Sequence, residues 1–465
     1  MTVDKDETSF DRSAIISAPG TVSGNATFIE GGLGNVRGLR SAGISAGFRR
    51  NPNRRDFALV ITEKPAVASG LFTTNRFAAA PVFISRAHLL HSSVTDALNP
   101  AAGEGVRAII INSGQANAST GEPGLQTAEL SARLTAEIVK CQPHQVLVAS
   151  TGVIGKPIDS SLFDTGIQKA YDQLGSPDGT DIASGLTAAE AIMTTDTYAK
   201  QAAVRATFKS EACEYPYSIA GMVKGSGMIE PNMATLLGVF ATDALLSQAA
   251  ADAAFKIAIG KSLNKLTVDS DTSTNDSVFF LATGAAVDKI DAALQADNTA
   301  PQAALIEPDS EAFEQFTEAL TTLCIELARQ TAADGEGATK LVTVKVSGAL
   351  DDAQADRAAR AVANSPLVKT AIAGHDANWG RICAALGKSG AVFEPEQVSV
   401  KLMGLSVFEN GLPVDFDEDE ALVLFDTLPE IVIEADLGTP GNSQTTIWTC
   451  DLTHGYISIN GDYRS

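Results

Sequence analysis

Residues 224–237 read KGSGMIEPNMATLL: a glycine-bearing turn, a proline, and a threonine at the threshold of an apolar run. That run continues through residues 236–242, apolar enough for a buried strand, so Thr235 is expected where a loop becomes a strand. A threonine hydroxyl is a poor nucleophile until a base takes its proton, and scission just before Thr235 would supply one, the freed α-amine. Such an amine titrates at about 8, so much of it is neutral at working pH. Gly225 and Gly227 allow unusual dihedrals and Pro231 stiffens the approach, as a peptide bond held in attack geometry requires. Taken alone, the segment also reads as a glycine-rich turn with no chemistry.

Working outward, residues 1–25 are expected as a loose tail, and 56–62 (DFALVIT) as the first ordered strand. A second apolar run, 106–112, ends in the polar, glycine-rich SGQANASTGEPG, a loop composition that often carries function. The following helix places Leu130, Leu134 and Ile138 every four residues along one face, and a strand at 145–149 leads into STGVIG. A helix over 184–193 runs into TTDTYAK, and a strand at 202–208 precedes the threonine segment. Another helix begins near 247, with a strand at 278–282 beyond TVDSDTSTNDS. Residues 295–310 read as a surface insertion, with Asp309 as cap of a long helix whose Phe313, Phe316, Leu320, Leu323 and Leu327 form a core-facing stripe. The last third alternates strands at 341–346, 398–402, 431–435 and 445–449 with helices near 352–363 and 378–387. The fold class is therefore α/β, with mixed α+β layers.

The bulk chemistry narrows the function. A chain of 465 residues exceeds one hydrophobic core, so two or three are expected. A net charge of −22 excludes nucleic acid and anionic membrane as natural partners. The five cysteines are scattered without CxxC spacing and the five histidines form no ligand-spaced cluster, so neither a disulfide framework nor a metal site is expected. The acidic N-terminus lacks the look of a secretory or transit segment, and no run approaches a membrane span, so a soluble cytoplasmic protein is expected. KGSG lacks the phosphate-loop frame, and residues 269–276 miss the EF-hand spacing; a turn or capping role suits them better. Asp376 and Arg381 read as a structural pair or as part of a subunit contact, around a packed Trp379.

Beyond KGSGMIEPNMAT, a series of blocks stands in order: FTTNRFAAAPV from Phe72, NSGQANASTG from Asn112, ASTGVIG from Ala149, IMTTDT from Ile192 and DTSTND from Asp271. DGEGATK from Asp334, NSPLVKTAIAG from Asn364, ANWGRI from Ala377 and the terminal INGDYRS complete it. From about Ile29 to Ser465 the sequence resembles the ornithine acetyltransferase family, the bifunctional glutamate N-acetyltransferases.

The resemblance implies a self-processing acetyltransferase with an N-terminal threonine nucleophile. The chain would cut between Ala234 and Thr235 into an α fragment (26–234 after the tail) and a β fragment (235–465). The Thr151 hydroxyl and the Gly152 backbone amide would stabilise the oxyanion, and Thr194, Lys224, Thr235, Glu336, Asn460 and Ser465 would hold substrate. We read Lys224 as the partner of the substrate carboxylate and Glu336 as that of its side-chain ammonium, the complement a small zwitterion requires. Asn460 and Ser465 can take part only if the C-terminal tail folds back over the site.

The implied reaction moves the acetyl group of N-acetyl-L-ornithine to Thr235 and then to L-glutamate, with no cofactor and with acetyl-CoA open as a second donor. The implied assembly is α2β2. Two other functions stay open: a self-processed aminopeptidase or amidase, with water as acceptor, and an uncut, non-catalytic small-molecule binding protein.

Overall fold

The computed structural model describes residues 12–101, 103–210, 213–230, 236–289 and 303–462. Ten strands form the first sheet: β1 (Val22–Ser23), β2 (Ala26–Ile29), β3 (Leu39–Ile44), β4 (Phe57–Phe72), β5 (Val106–Gln115), β6 (Val146–Val153), β7 (Lys200–Lys209), β8 (Glu214–Lys224), β9 (Leu237–Thr242) and β10 (Ser277–Ala282). Their order is β1-β2-β7-β8-β9-β10-β4-β5-β6, with β3 also paired to β4. The long β4 slips register between Ile61 and Ala66, and through it one half of the sheet passes into the other.

Alternation along the strands shows how the halves stack. Phe240, Val278 and Phe280 join one core with Phe255 of the helix Gln248–Lys261 and Phe316 of the helix Glu311–Ala333. Their neighbours Leu237, Val239, Phe279 and Leu281 turn the other way and meet Val60, Ile109, Ile111 and Leu147 from the second half. That half's remaining faces, among them Leu59, Ile110 and Val148, pack on Ala132, Ala136 and Ile167 of the helices Gly121–Val139 and Ser161–Asp172. The result is helix, sheet, sheet, helix. A strand buried on both faces has no polar side to show, which is why β9 and β10 read as unbroken apolar runs. Each fully buried phenylalanine stabilises this body by about 1.5–3 kcal/mol.

A second sheet, β14-β13-β12-β15-β11-β16, comprises β11 (Leu341–Ala349), β12 (Ser399–Leu402), β13 (Leu405–Glu409), β14 (Leu412–Pro413), β15 (Glu430–Asp436) and β16 (Ser443–Cys450). Ala355, Ala358 and Val362 of the helix Asp352–Ala363 and Phe425 of the helix Glu418–Thr427 cover it. The two bodies lock where Thr267 N–H donates to the Trp448 carbonyl at 2.9 Å and Lys369 Nζ donates to Val268 O at 2.7 Å. None of the described helices is long and apolar enough to cross a membrane.

Several sequence expectations need correction. The tail packs from Ile15, which is buried, and the Ser17 hydroxyl donates to the Glu326 carboxylate at 2.8 Å; β1 to β3 then precede the strand expected first. On the helix Gly121–Val139, the small residues Ala128, Ala132 and Ala136 are fully buried, while Leu134 and Ile138 only flank them, because close packing on a sheet selects the narrowest face. Ser310, not Asp309, caps the long helix, its hydroxyl accepting from Phe313 N–H at 3.1 Å. Within the insertion, Ala304 and Ile306 are buried, and Ile306 forms a bridge with Leu246; the stretch 295–302 lies outside the described residues. Arg381 donates to the Leu367 carbonyl at 2.8 Å rather than pairing with Asp376, whose carboxylate takes Asn378 Nδ2 at 2.9 Å. Trp379 does pack, stacked on Phe408 with ring centroids 5.2 Å apart.

Candidate active site

One cavity of about 210 Å³ opens where the carboxyl ends of β6 and β8 meet the second body. Thr151, Gly152, Thr194, Lys224, Glu336 and Asn460 all line it. Each of them was expected from the sequence, and apart from the adjacent Thr151 and Gly152 they come from segments remote in the chain. Ala234, Thr235 and Ser465 lie outside the described residues.

Parallel pairing of β5 with β6 sets Gly114 beside Gly152. A side chain at Gly152 would collide with the Gly114 carbonyl, and its φ of +125° is one that other residues rarely adopt. Only glycine keeps that stretch of backbone open toward the cavity. Asn275 braces the same corner, its Nδ2 donating to the Ala116 carbonyl and, at 2.8 Å, to the Ser150 carbonyl.

Lys224 ends β8 as a buried side chain whose Nζ stands 3.5 Å from the Thr151 hydroxyl. Burial lowers its pKa from the ordinary lysine value, and the Asp196 carboxylate opposes that shift. Asp276, also buried, has an Oδ2 that meets no donor among the described residues. Burial holds its carboxyl well above the usual range, against the opposing influence of Ser273 and Lys224.

Across the cavity the C-terminal helix His454–Asp462 lies over the site. Asn460 Nδ2 donates to Glu336 Oε2 at 2.7 Å, and the Thr453 hydroxyl donates to the Gly337 carbonyl at 2.6 Å. The fold-back that the terminal residues need is thus present as far as Asn460. Glu336 N–H donates to the Ser226 carbonyl at 2.8 Å, drawing its segment onto the turn after β8.

Sequence reasoning missed three participants. Asp269 accepts Met228 N–H at 2.7 Å and Ile229 N–H at 2.8 Å, and the Tyr456 hydroxyl also donates to it at 3.2 Å, so one carboxylate fixes both the turn after β8 and the terminal helix. Burial pushes the Tyr456 phenol up, with Asp269 adding to the shift. Asp196, in TTDTYAK, was overlooked as well, although a lone acid between threonines in a loop was a visible signal. Chemically, the described lining offers the buried Lys224 amine, hydroxyl donors and carboxylates facing it, suited to a small zwitterion. No group of acids, cysteines and histidines among the described residues is arranged to hold a metal ion.

The ArgJ family model matches residues 40–465. The arginine biosynthesis bifunctional protein ArgJ of Symbiobacterium thermophilum is 43% identical over 439 residues, covering 94% of this chain and 100% of its own length. Its counterpart from Agrobacterium fabrum is 40% identical over 432 residues, covering 92% of this chain and 96% of its own. Among solved structures, ornithine acetyltransferase complexed with ornithine from Mycobacterium tuberculosis matches at 30% identity over 45% of this chain and 100% of that chain, with a TM-score of 0.38.

Proposed function

The chain belongs to the ArgJ family, and from that premise we propose that its cavity moves the acetyl group of N-acetyl-L-ornithine to L-glutamate through an ester on Thr235. The observation that carries this reading is the convergence of Thr151, Gly152, Thr194, Lys224, Glu336 and Asn460 on one small cavity.

The chain first cuts itself. The Thr235 hydroxyl attacks the Ala234 carbonyl, the acyl group shifts from nitrogen to oxygen, and water opens the ester to leave Ala234 as a carboxylate and Thr235 with a free α-amine. Strands β8 and β9, paired from Ile219↔Thr242 to Lys224↔Leu237, keep the fragments in one sheet after scission. In the transfer step the α-amine takes the hydroxyl proton as Thr235 attacks the acetyl carbonyl. The Thr151 hydroxyl and Gly152 N–H meet the developing oxyanion, each such donor contributing about 3–4 kcal/mol.

Ornithine leaves with its amine protonated, glutamate takes its place, and its amine accepts the acetyl group as the threonine hydroxyl is restored. Lys224 meets the carboxylate common to both substrates, and Glu336, steadied by Asn460, meets the ornithine ammonium. Acetyl-CoA fits the same scheme as a second donor, and the assembly is α2β2.

Intact-mass measurement with and without N-acetylornithine tests the scheme. The expected result is two fragments divided at Ala234–Thr235, with an acetyl adduct on the fragment that begins at Thr235. An uncut chain that only binds the substrate would favour a binding protein, and hydrolysis without transfer to glutamate would favour an amidase.

A further inference from the structure

Lys200 is the one lysine among the largest fully buried side chains of the described residues, and the transfer chemistry makes no use of it. Its Nζ lies 2.6 Å from Asp196 Oδ1 and 2.6 Å from Asp334 Oδ2, and all three side chains are sealed from solvent. Each carboxylate also holds backbone. Asp196 Oδ1 accepts Gly225 N–H at 2.7 Å and its Oδ2 accepts Thr194 N–H at 2.8 Å. Asp334 Oδ2 accepts Thr197 N–H at 3.0 Å, and its Oδ1 accepts the Thr197 hydroxyl.

These bonds link three segments that are remote in sequence. Thr194 lies two residues before Asp196, Lys224 directly before Gly225, and Glu336 two residues after Asp334. All three are cavity-lining side chains. Apolar packing of equal volume would often be as stable as a buried charge cluster, so stability alone does not explain burying three charges here. A charged cluster does define one geometry, because each carboxylate oxygen has a single arrangement that satisfies lysine and backbone together.

We infer that Lys200, through Asp196 and Asp334, is the positioning residue that sets Thr194, Lys224 and Glu336 into mutual register for transfer. This inference rests on the acetyl-transfer reading of the cavity. The cluster has two carboxylates for one ammonium, and the excess negative charge acts on Lys224 through Asp196. The charged groups that face Lys224 are Asp196, Lys200, Asp276 and Arg49. Of these, Asp196 is the strongest influence favouring its protonated form, and it holds the backbone N–H of Gly225 beside Lys224, whereas Asp334 holds Lys200 and Thr197. The two carboxylates are therefore separable by experiment: both position, and Asp196 acts the more strongly on the charge of Lys224.

The test is steady-state transfer from N-acetylornithine to glutamate by the full chain, with kcat and KM followed across pH, for wild type, Asp196→Asn and Asp334→Asn, well below each melting temperature. Both variants are expected to lose about 100-fold in kcat/KM, the scale of an ångström-sized misplacement, with the loss mainly in kcat. Asp196→Asn should move the alkaline limb to lower pH, further than Asp334→Asn does, and Asp196→Glu should return part of both losses. Melting temperatures that fall while kcat stays at the wild-type value would overturn the inference, as would limbs that move equally in both variants. If either asparagine variant does not fold, Lys200→Arg, which keeps the charge but displaces it, takes its place: reduced kcat supports the role and unchanged kcat removes it. The wild-type rate, measured first, checks the transfer reading by itself, so unaffected variants count against Lys200 alone.

Discussion

Lys200 and Lys224 are both buried at the ends of neighbouring strands, yet their surroundings treat the charge in opposite ways. For Lys200, burial works to lower the pKa, but Asp196 and Asp334 at 2.6 Å outweigh it and raise the value. For Lys224, burial prevails and lowers the value; its polar contact is the Thr151 hydroxyl, and no carboxylate of the described residues forms an ion pair with it. A lysine satisfied from within is architecture. One desolvated and left with only a distant counter-charge is prepared for an anion from outside, and the difference separates frame from site more sharply than burial does.

The largest effect that could break this contrast is on activity. Lys224→Met should lower kcat/KM for transfer by the equivalent of about 2–5 kcal/mol, as expected when one partner of a desolvated charge pair is truncated. Its melting temperature should stay level or rise; a variant that unfolds instead would place Lys224 with the frame. Next is Lys200→Met, expected to lose about 3–5 kcal/mol in chemical denaturation because it strands two buried carboxylates. A loss below about 1 kcal/mol there would erase the distinction.

Asp276 sharpens it through pH. Its folded pKa lies above the unfolded value, so the folded state binds more protons between the two, and its ionisation destabilises the fold as pH rises through that window. Asp276→Asn should therefore raise the melting temperature at about pH 8 and leave it level at about pH 3, below the window. A gain at both pH values would refute a titrating origin. Asn460→Ala is the smallest: within about 0.5 kcal/mol in stability, since the residue is exposed, but with a higher KM for N-acetylornithine as Glu336 loses its 2.7 Å donor.

Much of the frame was legible in the chain. Runs such as VFFLA and GVFA read as buried strands, as they are, and the Phe316, Leu320, Leu323 and Leu327 stripe falls on the core as its spacing demands. Capping was legible in kind but not in position: polar residues stand at both 309 and 310, and the left-handed φ of +66° at Asp309 leaves Ser310 to face the first turn. The leucine face of the helix Gly121–Val139 misled because periodicity reports hydrophobicity, whereas contact distance to the sheet is set by side-chain size. Nor did the sequence reveal that the threonine junction is no boundary of the fold. Strands β8 and β9 pair across it, and the change of body comes only after the helix Glu311–Ala333.

By itself the sequence determined many of the elements, the family and the residue types expected at the site, because periodicity and ordered blocks are properties of neighbours along the chain. Tertiary structure alone decided that Lys200 meets an aspartate 134 positions away, that Asp269 holds the turn after β8 and the terminal helix at once, and that this helix returns to Glu336. Choosing a partner across such distances is settled by which polar groups lose water together, and that is known only when the layers have closed.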